Sequence, residues 1–151
     1  MSKDQDVLRV TERLRCLCSR REYCSADILK KAADALDGDK DAAEQILQVL
    51  MSEKYVDDLR YATAYAREKS MISGWGETKI RYMLSSKRIS RSLVDQALTE
   101  IDSDKADARL RKLLENKSKT LKADPQIRLK LLRFALGYCS MNHFSVFLFL
   151  I

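Results

Sequence analysis

Four glycines and a single proline punctuate a chain of 151 residues, and no stretch shows clean apolar/polar alternation. So few turn formers exclude a hairpin-rich sheet and favour helices joined by short polar links. The only histidine, His143, lies in an apolar run without a serine or cysteine partner, and no G-x-x-x-x-G-K-[ST] loop is present. Neither a nucleophilic triad nor a phosphate-cradling loop is therefore written in the sequence, and a protein without enzyme activity, cofactor or small-molecule substrate is expected. Cys16, Cys18, Cys24 and Cys139 form no Cys-x-x-Cys pairs. They read as free thiols of a reducing compartment, not as metal ligands. The opening MSKDQDVLRVTERLR has no apolar core of the kind a signal peptide carries, so a cytoplasmic location is expected. The run Phe144 to Ile151 is far shorter than the ~20 residues needed to cross a bilayer, so no membrane partner is expected.

Charge is abundant. A third of the residues are charged, the net charge is +6 and the pI is near 9.2. The distribution is uneven: residues 25–58 hold four Lys and Arg against nine Asp and Glu, whereas residues 109–133 hold nine against two. The middle segment, 59–101, holds eight against four. A chain with one acidic end and two basic stretches suits an anionic partner approached from one side.

Helical spacing recurs throughout. Val7, Val10, Leu14, Leu17 and Cys18 mark a first helix, and Ile28, Leu29, Ala32, Ala33 and Leu36 mark a second, capped by Ser25 and ended at Asp37-Gly38. A capping box, Asp41-Ala42-Ala43-Glu44, starts a third that carries Ile46, Val49 and Leu50. Asp57 and Asp58 suit helix capping better than paired-carboxylate chemistry, and they open a fourth with Ala62, Tyr65 and Ala66. After Ser73-Gly74-Trp75-Gly76, a fifth helix starts at Glu77, carries Ile80, Met83 and Leu84, and closes at Lys87-Arg88. Ser90 caps a sixth with Leu93, Ala97, Leu98 and Ile101. Ser103 or Asp104 caps a seventh with Ala106, Leu110, Leu113 and Leu114, Asp124-Pro125 starts an eighth that runs to Gly137, and Ser140 opens a ninth. The third helices of each set, from Asp41, Ser90 and Ser140, start 49 and 50 residues apart. A period near 50 predicts an all-α chain of three tandem three-helix repeats, 1–55, 56–101 and 102–151, forming an elongated, curved ribbon.

Tyr55-Val56-Asp57-Asp58, Arg60-Tyr61-Ala62 and Gly74-Trp75-Gly76, followed by Lys79-Ile80, Leu84 and Lys87, resemble the central signature of the RecX family, bacterial regulators of the RecA recombinase. The resemblance extends through about forty residues and implies three tandem three-helix repeats. It also implies a non-enzymatic protein that binds RecA and the groove of its filament on single-stranded DNA, inhibiting strand exchange and the filament's other activities. The chain departs from the family pattern at Arg88, where members usually place glycine, near Gly137-Tyr138-Cys139, where they carry an Arg-Gly pair, and in the final helix, where Asn142, His143 and an apolar run stand.

The residues themselves offer two candidate binding strips. In the middle repeat Arg60, Arg67, Lys69, Lys79, Arg81, Lys87, Arg88 and Arg91 suit phosphates or acidic side chains. Trp75, between glycines, suits either a staple over the helix junction or a stacking platform for a base or partner. In the last repeat the strip comprises Arg109, Arg111, Lys112, Lys117, Lys119 and Lys122, together with Arg128, Lys130 and Arg133. Two other readings suit the same residues: a small basic DNA-binding protein that acts directly on DNA without RecA, and a helical scaffold whose apolar end recruits a partner.

Overall fold

A computed structural model describes residues 2–136. It contains eight helices and, among the described residues, no strand: α1 (Lys3–Arg20), α2 (Ser25–Ala35), α3 (Lys40–Ser52), α4 (Asp58–Met71), α5 (Glu77–Ser86), α6 (Arg91–Thr99), α7 (Ser103–Thr120) and α8 (Ile127–Leu136). The ninth helix expected from Ser140, the Gly137 terminus of the eighth, and His143 lie outside the described residues. The middle helices of the three sets, beginning at Ser25, Glu77 and Ile127, stand 52 and 50 residues apart, so the period is present in the folded chain. Helices pack chiefly within their own set: α1 on α2 and α3, α4 on α5 and α6, and α7 on α8.

Each of the first two sets encloses its own apolar core. Val10, Leu14, Ile28, Ala32, Ala43, Ile46 and Leu50 close the first, joined by Val56 from the link to α4. Ala62, Ala66, Ile80, Leu84, Val94 and Ala97 close the second, joined by Cys24 from the start of α2. Ala62, Ala66 and Ala97 are completely buried. Side chains this small let the α4 and α6 backbones approach closely, which explains why that pair is among the most extensively packed. In the last set Leu110, Leu131 and Ala135 are buried, while Leu113 and Leu114 are only half-covered.

Several helix starts differ from the spacing-based expectation. The N-cap of α3 is Asp39, whose side chain accepts from the Ala42 amide at 3.1 Å; Asp41 lies inside the helix, so the expected capping box does not form. Asp102, not Ser103 or Asp104, caps α7 through the Lys105 amide. Asp124 caps a turn through the Gln126 amide, and regular helix begins only at Ile127, two residues past Pro125. In each case a carboxylate was available within a turn of the apolar stripe, and periodicity does not choose among neighbours. Val49, expected inside, is 39% exposed.

Three helices end alike. After α2, α3 and α5 the chain turns through Asp37, Lys54 and Arg88 with φ of 54°, 61° and 60°. The following amides of Gly38, Tyr55 and Ile89 reach back to the carbonyls of Ala33, Leu50 and Leu84. This is the Schellman closure, and its left-handed position favours glycine. At α2 the glycine comes one residue late: Asp37 takes the left-handed position, and Gly38 follows with φ 88°.

Charged side chains connect the sets. Asp57 caps its own helix through the Arg60 amide at 3.0 Å, whereas the adjacent Asp58 reaches back to the first set, accepting from the Ser25 amide at 2.7 Å and the Ser25 hydroxyl at 2.6 Å. Ser25 is therefore the capped residue of α2 and not its cap. Lys87 Nζ lies 2.8 Å from Asp27 across the same joint. Arg60 donates to Glu22 at 2.7 Å and to the carbonyls of Lys54 and Tyr55, tying the α1–α2 link to the α3–α4 link. At the second joint Arg109 of α7 donates to the carbonyls of Ser70, Met71 and Ile72, placing a cation at the negative C-terminal end of α4. Gly74, at φ 66°, admits this approach, since a Cβ there would lie 3.2 Å from Arg109 Nε.

The first joint is ionisable at both ends. Its hydrogen bond to Asp27 raises the pKa of Lys87. Partial burial works to raise that of Asp27, but hydrogen bonds from Lys87 and Cys24 outweigh it and hold the carboxyl below its usual range. A depressed carboxyl contributes stability that is present above its unfolded pKa near ~4 and lost as pH falls through the folded value. The raised lysine contributes below its unfolded pKa near ~10 and ceases to do so as pH rises through its folded value. Stability should therefore be level through neutral pH, and Asp27→Asn should lose less stability than wild type between about pH 5 and pH 3, as measured by urea unfolding. Lys54→Gly should move the urea midpoint upward, by roughly 0.5–1 kcal/mol, because it relieves a left-handed side-chain residue whose N–H and C=O contacts are retained.

Candidate partner interface

The joints account for several of the cations that the sequence offers to a partner. Arg60 and Lys87 are engaged between repeats, and Arg109 is engaged in the same way at the second joint. Arg60 has its basicity raised chiefly by the hydrogen bond to Glu22. The other oxygen of Glu22, Oε2, is buried without a hydrogen bond, so removing Arg60 would leave a half-buried carboxylate uncompensated.

Other candidates are held within the middle set. Arg81 bridges Glu77, 3.1 Å away, and Asp95, linking α5 to α6, and its basicity is raised chiefly by the bond to Asp95. Arg67 pairs with Glu100 at 2.9 Å, with both side chains more than half exposed, a geometry that contributes little to stability. Lys130 pairs with Asp124 at the start of α8.

Trp75 is half-buried against the second core and meets Tyr65 edge-on, with ring centroids 6.4 Å apart. Lys79 Nζ lies 4.0 Å from the Trp75 ring centre and Lys69 Nζ 5.3 Å from it. The ring therefore works as a staple whose surface is already occupied by two ammonium groups. Tyr61, Tyr65 and Trp75 form a continuous aromatic row, because Tyr61 and Tyr65 stack at 5.9 Å. Lys79 thus presents its charge from an aromatic base, which positions it without neutralising it, whereas Lys69 is half-buried and pairs with Glu68 at 3.2 Å. The exposed aromatic of this set is Tyr82, 71% accessible on α5 one turn beyond Lys79, and nothing in its spacing distinguished it from an ordinary surface residue.

Arg88, Arg91 and Arg133 are exposed and make no ion pair among the described residues. Arg128 is exposed on α8 and engaged in a further contact. On α7, Lys112 and Lys119, seven residues apart, share one exposed face, Arg111 is exposed about a quarter-turn away, and Lys122 lies just past the helix end. Lys117 instead lies over the Phe134 ring at 4.7 Å. Of these candidates, the exposed cations without an ion pair among the described residues are Lys79 on the aromatic row, Arg88 and Arg91 at the α5–α6 turn, Arg111, Lys112, Lys119 and Lys122 at α7 and its end, and Arg133 on α8. No helix among the described residues is long and apolar enough to cross a membrane.

Comparison with known proteins follows the same segments. Residues 57–98, which contain α4, α5 and most of α6, match the family described as "RecX, second three-helix domain". The protein named Regulatory protein RecX from Vibrio campbellii (strain ATCC BAA-1116) is 34% identical over 111 residues, covering 73% of this chain and 69% of that protein. The one from Vibrio parahaemolyticus serotype O3:K6 is 35% identical over 112 residues, with the same coverage. That from Clostridium tetani (strain Massachusetts / E88) is 31% identical over 93 residues, and there the chain spans 42% of the longer protein. A crystal structure of regulatory protein RecX superposes with a TM-score of 0.81 over 93% of this chain and 71% of the other, at 23% identity, and so shares the fold. On these matches the chain belongs to the RecX family of regulatory proteins.

Proposed function

We propose that this chain binds the RecA recombinase on its single-stranded DNA filament and, without chemistry of its own, inhibits strand exchange and filament-dependent ATP hydrolysis in the cytoplasm. The observation that carries the reading is the 34% identity to a Regulatory protein RecX across 69% of that relative's length, together with the signature from Tyr55 to Lys87. Three units, 1–55, 56–101 and 102–151, form the ribbon in this reading. Lys69, Lys79, Arg88 and Arg91 of the middle unit and Arg128 and Arg133 of the last face acidic side chains or phosphates in the filament groove. Seating along the groove bridges neighbouring recombinase subunits and obstructs the second DNA strand. Direct contact with DNA is favoured at one place, the exposed Arg111, Lys112 and Lys119 face of α7, which suits a phosphate backbone.

The division of cations in the fold separates two kinds of variant. Arg81 and Lys87 are bound to carboxylates within the chain, so replacing them disturbs the scaffold before it disturbs a partner. Lys79→Ala, Arg91→Ala and Arg133→Ala remove exposed charge and leave the buried cores untouched. RecA ATP hydrolysis on single-stranded DNA, titrated with this protein at fixed salt, is expected to fall at substoichiometric amounts. The triple variant should require roughly ten to a hundred times more protein for the same effect, while keeping the wild-type unfolding midpoint to within about 1 kcal/mol. No fall in hydrolysis at stoichiometric excess of folded wild-type protein contradicts the proposal. A salt-sensitive affinity for bare DNA in that case would leave direct DNA binding as the function.

A further inference from the structure

A groove opens beside the first joint, between α2, α3 and the turn that links α5 to α6, with a volume of about 720 Å³. Ala26, Leu29, Ala33, Ala43 and Leu47 give it an apolar floor. The small residues are what create the space: with alanine at 26, 33 and 43, no side chain fills the region between the two helices and the turn.

The rim is cationic in a part of the chain that is acidic overall. Lys30, Lys40 and Arg88 are exposed at the groove and make no ion pair among the described residues, and Lys87 is held by Asp27. Glu44 is the remaining carboxylate of the lining. Of the carboxylates outside the lining, Asp39 pairs with Lys3 at 2.8 Å, Glu53 with Arg15, and Asp58 holds the end of α2, while Asp34, Asp37 and Asp41 are exposed. The lining itself, Lys30, Lys40, Lys87 and Arg88 against Asp27 and Glu44, is thus positive although residues 25–58 as a whole are acidic.

Arg88 completes the rim from the α5–α6 turn. It sits at φ 60°, a backbone conformation that favours glycine. Asp37 and Lys54 hold the same conformation at the other two closures, and here, beside Lys87, it brings a guanidinium to the border of the apolar floor.

We propose that this groove docks an acidic peptide segment carrying an apolar side chain. The apolar side chain lies against Leu29, Ala33 and Leu47, and flanking carboxylates pair with Lys30, Lys40 and Arg88. A phosphate backbone would meet the cations but leave the apolar floor uncovered, which favours peptide over nucleic acid. The proposal stands apart from the identity of the recombinase partner and is tested on this chain alone.

The test is fluorescence anisotropy of the full chain with a short fluorescein-labelled peptide of aspartate, glutamate and leucine. Saturable binding is expected for the wild type. Arg88→Gly removes the guanidinium and relieves the left-handed backbone, so it should weaken binding roughly tenfold while its thermal midpoint stays at or above that of wild type. Lys30→Glu, on the exposed face of α2, should weaken it at least as much. The same peptide with serine in place of leucine, and a single-stranded oligodeoxynucleotide, should compete poorly. Absence of wild-type binding, unchanged affinity in both variants, or full competition by either control overturns the proposal. These outcomes are separable from recombinase inhibition, because no RecA is present in the measurement.

Discussion

Where one three-helix unit meets the next, charged side chains make most of the connection, through helix-end backbone and ion pairs, with a small apolar contribution from Val56 and Cys24 at the first joint. Asp58 reaches back to the exposed amide end of α2, and Arg109 reaches back to the exposed carbonyl end of α4. Each satisfies helix-terminal groups that would otherwise have only water, and each is favoured by the partial charge at that end of the helix. Apolar burial then follows the units: one core around Ile28, Ile46 and Leu50, another around Ile80, Leu84 and Val94. Val56 and Cys24 cross between them and are the main apolar contribution to the first joint.

This arrangement changes how the electrostatics of the chain are to be understood. A net charge of +6 overstates what a partner meets in the middle unit, because Arg60, Arg81 and Lys87 are bound to carboxylates of the chain itself. In the first unit Asp27 is occupied by Lys87 of the middle unit, while Asp39 and Glu53 pair with Lys3 and Arg15 of their own unit. The cationic surface that remains in the middle and last units includes the aromatic-backed Lys79, the α5–α6 turn, and the outer face of α7. A chain that recognises an extended, repeating target is well served by several such regions held at fixed spacing.

Much of this was legible in the sequence because it depends on local rules. The eight described helices, their spacing near 50 residues, the Gly-Trp-Gly turn and the capping role of Asp57 follow from spacing and from the chemistry of one or two neighbouring residues. The middle repeat was also legible by its signature residues. What escaped were decisions that require two distant elements. Asp57 and Asp58 look equivalent in sequence, yet one caps its own helix and the other caps a helix 33 residues earlier. Arg109 stood in a basic run indistinguishable from Arg111 and Lys112, and only the approach of α7 to Gly74 singles it out. Trp75 was legible as aromatic and central, but its role as a base for Lys69 and Lys79 depends on how the turn folds over Tyr65. The groove beside α2 left only a faint trace, a set of alanines at helical spacing.

The central claim is that charged side chains reaching across to helix ends, Asp58 at the first joint and Arg109 at the second, set the geometry between units while each unit keeps its own core. Small-angle X-ray scattering of Arg109→Met beside wild type tests it most directly. The account predicts unchanged helix content by circular dichroism together with a broader pair-distance distribution, as the last unit loses its fixed position against α4. Superimposable scattering curves for the two proteins would show that the joint is held by something other than Arg109 and would contradict the account.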